Sequence, residues 1–174
     1  MFPSQEELAI PKTQYHVSRD LNENVLYLNK RLSVDDNFDI IYRVIDIGGK
    51  KACMYFINGL CKDELMQKML EGFMSIPAKE MPDNAHEFSK KFMPYIEVDL
   101  SNSWKDIVYF LLSGVFVLIV DGYDKVFLID SRTYPSRSVA EPEKDKVLRG
   151  SKDGFVETVV QNSALIRRRI RSED

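Results

Sequence analysis

The side chains with the widest chemical reach in this chain are Cys53 and Cys61, eight positions apart, and the only two histidines, His16 and His86. Thiolate and imidazole build structural zinc sites, which take about four ligands, commonly from CxxC pairs. No CxxC occurs, and two cysteines with two scattered histidines do not make that set. Buried, reduced thiols are expected, as in a cytosolic protein. Asp121, Asp124 and Asp130 bracket a turn and offer the oxygens that calcium takes. Their spacing lacks the glycine and closing glutamate of an EF-hand loop, so turn chemistry is expected of them. His86, beside Glu87 on a short helix, fits a solvated or capping role better than general-base work. There is no GxGxxG, no P-loop and no GxSxG, hence no sequence support for phosphate cradling or a serine nucleophile. The expectation is a protein that is not an enzyme and has no catalytic residues, metal site or cofactor.

The remaining charged constellation is "ALIRRRIR", with Arg167, Arg168 and Arg169 in a row. Arginine at a helix C-terminus is favoured by the macrodipole and forms planar pairs with carboxylates. At about 100° per residue the three point in different directions, a collar rather than a stripe. Each is therefore expected to contribute no more than a surface pair does, at most ~1 kcal/mol. Nucleic acid is a poor partner. The chain is acidic overall (−3), with net −6 over residues 1–131 and +3 over 132–174. Residues 156–174 also contain no aromatic for bases to stack on.

The elements that must position these groups are legible from periodicity. With 44% apolar residues the chain is able to bury a core. Its longest apolar run, "IVYFLLSGVFVLIV", is fourteen residues, short of the roughly twenty that cross a membrane, and Ser113-Gly114 interrupts it. "SRDLNENVLYLNKRLS" reads as a helix capped by Ser18 or Asp20, with Leu21, Val25, Leu28 and Leu32 on one face. "FDIIYRVIDIGGKKACMYFING" reads as a hairpin about Gly48-Gly49. "CKDELMQKMLEGFMSIP" gives a helix and "PAKEMPDNAHEFSKKFMP" a loop with a short helix. "SNSWKDIVYFLLSG" is a helix capped by Ser101 or Ser103 and ended by Gly114, and "VFVLIV", "DGYD" and "KVFLIDSR" form a second hairpin. The predicted fold class is α/β, a two-layer sandwich of a hairpin-built, mostly antiparallel sheet with helices on one face. A C-terminal linker and amphipathic helix follow.

After Arg132 the texture changes. "RGSKDGFVETVVQNSALIRRRIRSED" predicts a helix capped by Ser151 or Asp153, with Glu157 in its first turn and Phe155, Val156, Val159, Val160 and Ile166 as its apolar face. The segments "PSR", "EPEKDKV", "RGSKDGFVET" and "ALIRRRIR", and "DGYDKVFLID" before them, resemble the A subunit of GerA-type nutrient germinant receptors of endospore-forming bacteria. The resemblance runs from about residue 20 onward. It marks Pro135, Ser136, Arg137, Glu141, Pro142, Glu143, Arg149, Gly150, Asp153, Gly154, Phe155, Glu157, Arg167, Arg168 and Arg169 as interaction and signature residues.

The resemblance implies a division into an N-terminal arm (1–19), an α/β subdomain (20–131) and a signature linker and helix (132–174) leading into a second subdomain absent from this chain. It implies a domain on the cytoplasmic, spore-core side of the spore inner membrane, attached through helices not in this chain. Its partners would be the receptor's B and C subunits and other copies of the A subunit, with no cofactor. The expected role is receptor assembly and the coupling of nutrient sensing to germination. The alternative is a small-molecule domain that binds a nutrient or a regulator. Residues 132–174 are expected to pack poorly on the body, leaving Phe155, Val159 and Ile166 uncovered.

Overall fold

Each predicted hairpin is present in the computed structural model, which describes residues 16–94, 97–132 and 158–171. Strand β1 (Ile40–Ile47) returns as β2 (Lys50–Ile57) through Gly48 and Gly49. Their φ values of +54° and +77° are the paired positive angles that a two-residue type I′ turn needs and side chains resist. β4 (Phe116–Val120) and β5 (Val126–Ile129) form the second hairpin. Both join one antiparallel sheet of order β1-β2-β4-β5-β3. Its last member, β3 (Val98–Ser101), was not expected from the sequence.

Among the described residues five α-helices accompany the sheet. Helix α1 (Leu21–Arg31) starts on Asp20, whose carboxylate accepts from the amides of Asn22 and Glu23. Helix α2 (Asp63–Met74) follows β2, and α3 (Ala85–Phe92) is capped by Asn84 through the amide of Glu87. Ser103 caps α4 (Trp104–Leu112), and α5 (Val159–Ile170) is the last element.

The period-2 alternation of β4 shows why the sheet is central. Val117 and Ile119 pack with Leu28 of α1 and Trp104, Ile107 and Leu111 of α4. Phe116, Leu118 and Val120 pack with Met69 and Phe73 of α2 and Phe88 of α3. Helices thus cover both faces, a second helical layer beyond the one anticipated, and this explains why β4 is an uninterrupted apolar run. On the α3 side, Phe88 lies 5.7, 5.2 and 5.2 Å from the ring centres of Phe73, Phe92 and Phe127. Offset and tilted ring pairs at such distances add about 0.5–1.5 kcal/mol each beyond burial. The buried aromatic polar atoms are satisfied. Tyr123 Oη donates to the Pro82 carbonyl (2.6 Å), Tyr55 Oη to Asn29 Oδ1 (2.7 Å) and Trp104 Nε1 to the His16 carbonyl (3.1 Å).

Candidate functional site: the docked arginine helix

The structure sorts the candidate residues into two groups. The cysteines are buried, and the aspartates are engaged with neighbouring groups. Cys53 and Cys61 are free, buried thiols, and burial pushes their pKa up to about 12 and about 11. Asp121 Oδ1 accepts the Leu21 amide at 3.1 Å and so ties the β4–β5 loop to the start of α1. Asp124 pairs with Arg19, and Asp130 pairs with Arg132. Among the described residues, no three of His, Cys, Asp and Glu come together as metal ligands.

The arginine helix is the second group, and here the structure departs from expectation. Helix α5 begins at Val159, with Thr158 in extended conformation (ψ 114°) at its N-cap and making no side-chain cap bond. The described helix thus starts later than the sequence suggested, with no acidic residue in its first turn; the anticipated caps Ser151 and Asp153, and Glu157, lie outside the described residues. Over its described length α5 touches the body along one narrow seam, while Val159 and Ile166 stay 69% and 44% exposed, as expected; Phe155 lies outside the described residues.

The contacts of α5 with the body include those of Gly59, Arg167 and Arg171. Gly59, in the turn after β2, has φ +83°, and a Cβ there would lie 3.1 Å from Val160 Cγ1 and 3.3 Å from the Ala164 Cβ. This close approach leaves Ala164 fully buried. One turn on, Arg167 reaches the loop between α1 and β1. Its Nε donates to Asp39 Oδ2 (2.9 Å), while Nη2 donates to Asp39 Oδ1 and to Asn37 Oδ1 (both 2.8 Å). Asn37 is oriented for this because its own Nδ2 donates to the Leu32 carbonyl at 2.8 Å. The Arg167 and Asp39 side chains are only 11% and 5% exposed. Last, Arg171 donates from Nη1 to Tyr109 Oη on α4 (3.1 Å), with its guanidinium 5.8 Å from the ring centre.

The three signature arginines are therefore not equivalent. Arg167 is a buried, bidentate clasp, against the expectation of a surface pair, because its face of α5 points at Asp39. Arg168 and Arg169 are exposed. Asn37, Asp39, Gly59 and Tyr109 were not foreseen as part of the site. Pro135, Ser136, Arg137, Glu141, Pro142, Glu143, Arg149, Gly150, Asp153, Gly154, Phe155 and Glu157 lie outside the described residues.

A surface depression of about 390 Å³ is bordered by Glu80, Pro82, Glu87, Lys90 and Lys91. It is open, and Lys91 already pairs with Glu80 at 3.2 Å. It involves α3, on the opposite side of the sheet from α5. Among the described residues no helix is long and apolar enough to cross a membrane.

Fold and site together define an α/β domain whose distinguishing feature is a C-terminal helix clasped onto an antiparallel sheet by a buried ion pair. The chain belongs to the family described as Bacillus/Clostridium GerA spore germination protein, which matches residues 27–174. It is 34% identical over 158 residues to stage V sporulation protein AF of Bacillus subtilis (strain 168), covering 90% of this chain and 32% of that protein. It is 28% identical over 155 residues to spore germination protein B1 of the same organism, covering 88% and 32%. The fold matches the crystal structure of the N-terminal domain of the A subunit of the Bacillus megaterium spore germinant receptor GerK3. That match has a TM-score of 0.70 and 25% identity, over 94% of this chain and 59% of that one. The chain thus spans about a third of the length of these curated relatives.

Proposed function

We propose that this domain acts without catalysis in a spore germinant receptor, as part of the A subunit, in receptor assembly and in coupling nutrient sensing to germination. In this reading it faces the spore core at the inner membrane and works with B and C subunits and further A copies. The observation that carries the proposal is the clasp between Arg167 and Asp39. A helix held to the body by one charge pair, a glycine contact and the Arg171–Tyr109 hydrogen bond behaves as a lever. Force on α5 reaches the α1–β1 loop through Asp39 and the end of α1 through Asn37 and Leu32. Family membership supplies the setting.

The test is made in spores of the producing organism, with the full-length protein carrying Asp39→Ala or Arg167→Ala. Receptor subunit levels are read by immunoblot and germination is followed for each nutrient. Lower subunit levels, or a weaker response to every nutrient, is the expected result. A loss confined to one nutrient with normal subunit levels overturns the proposal in favour of a ligand-binding domain. Normal levels with normal responses refute it outright.

A further inference from the structure

The sheet ends on one side in a long strand with an open edge. β1 is the outer strand of the order β1-β2-β4-β5-β3 and runs for eight residues, twice the length of β3 at the other side. Its sequence, IIYRVIDI, carries six apolar residues and no proline. Edge strands are usually kept short or blunted by lysine, proline or a bulge, because their unpaired backbone groups template another strand.

The turn fixes which groups are unpaired. In a two-residue hairpin the closing pair, here Ile47 and Lys50, exchanges both hydrogen bonds, and such pairs recur at every second residue. The Asn58 amide, which donates to the Asp39 carbonyl at 2.8 Å, keeps the same odd-numbered phase on β1. The N–H and C=O groups of Tyr42, Val44 and Asp46 therefore point away from β2, and no described residue bonds them. The side chains there are open too, Tyr42 being 39% and Val44 53% exposed.

Three groups spaced two apart are symmetric about Val44, and this symmetry selects the occupant. A second β1, antiparallel and related by a twofold axis at Val44, satisfies all of them at once, with Val44 opposite Val44 and Tyr42 opposite Asp46 in both directions. Arg43 then lies opposite Ile45, so no like charges face each other. An axis at Arg43 would set two guanidinium groups opposite one another, and an axis at Ile45 would carry Tyr42 past the strand's end to Gly48. We infer that β1 pairs with β1 of a second copy of this chain, antiparallel and centred on Val44, so that two five-stranded sheets continue as one. This rests on the assembly reading above, to which it adds the surface where two copies meet.

The experiment introduces single cysteines into the full-length protein and mildly oxidises spore membranes, with the unsubstituted protein as background. Val44→Cys should give a disulfide-linked homodimer, because directly opposed Cα atoms in a hydrogen-bonded pair lie about 5.5 Å apart, a distance a disulfide spans. Tyr42→Cys or Asp46→Cys alone should not, since each lies four residues, ~14 Å, along the strand from its own counterpart; co-expressed, the two should link to each other. Adding Val44→Glu, which opposes two carboxylates, should lower that mixed yield several-fold, while Val44→Thr should keep it. Equal linkage at all three positions, linkage from position 44 to a different protein, no homodimer at position 44, or a mixed yield that Val44→Glu leaves unchanged overturns the inference. If receptor subunits still co-purify in any of those cases, the assembly reading stands without it. The expected linkage pattern in spores where Asp39→Ala and Arg167→Ala alter neither subunit levels nor germination keeps the inference and removes the assembly reading.

Discussion

Arg167→Ala is the most informative single change. With α5 in place it would leave the Asp39 carboxylate at 5% exposure, short of its two guanidinium bonds. Removing one partner of a buried pair typically costs about 3–5 kcal/mol. The chain has a cheaper escape. Ala164 is the only residue of α5 that is fully buried, so releasing the helix forfeits little apolar contact and returns Asp39 to water. The loss of global stability should therefore be capped by the docking free energy, and an effect of about 1–3 kcal/mol is expected. The sheet should remain folded. Asp39→Ala should cost a similar amount, and the double variant scarcely more than either single one. That gives a coupling energy of roughly 1–3 kcal/mol. Urea unfolding supplies the four free energies, and hydrogen exchange locates the change: amides of Asn162 to Ile170 should lose protection while those of β4 keep it. A coupling below about 0.5 kcal/mol, together with unchanged exchange in α5, would falsify the clasp.

Gly59→Ala should destabilise by about 1–2 kcal/mol from its positive φ alone, and the new Cβ, 3.1 Å from Val160 Cγ1, should raise hydrogen exchange in α5 and spare the sheet. Asp130 is held below the ordinary carboxylate range by its hydrogen bonds to the Arg132 side chain. Because the folded pKa lies below the unfolded value of about 3.9, its stabilisation is present above that pH and fades as pH falls through the folded value. Asp130→Asn should thus cost up to ~1 kcal/mol near pH 7 and nothing in strong acid, as measured by urea unfolding at both. With pKa values of about 12 and about 11, Cys53 and Cys61 should resist a thiol reagent at pH 8 in the folded protein and react fully in denaturant. Fast native-state labelling of either would contradict their burial.

What the sequence disclosed was local. The Gly48-Gly49 turn, the caps Asp20 and Ser103 and the apolar face of α4 each have a signal within a few residues. β3 escaped because four residues, Val98–Ser101, are too few for alternation to stand out, and β5 rather than any nearby segment pairs with it. The start of α5 was misread because Ser151 and Asp153 look like better caps than Thr158, which makes no cap bond at all. The docking seam was invisible for a different reason. Asp39 and Arg167 are 128 positions apart, and Gly59 resembles any loop glycine until a helix is laid over it. The second helical layer could have been inferred from β4, whose five consecutive apolar residues leave no polar face for water.

The distance in sequence between Asp39 and Arg167 also sets an order of events. The strands and first four helices are complete by Ser131, and Arg167 is synthesised 36 residues later. At ~5–20 residues per second, that is a delay of roughly 2–7 s on the ribosome. Asp39 therefore begins life hydrated at the rim of an already folded body, and its partner arrives last. A nascent chain stalled before residue 167 should hold a folded sheet without its clasp, while one stalled well beyond it should resist proteolysis across the seam. Because Ala164 is the one buried residue of α5, release of this late closure is expected to leave the sheet folded, so that α5 can re-dock without global unfolding.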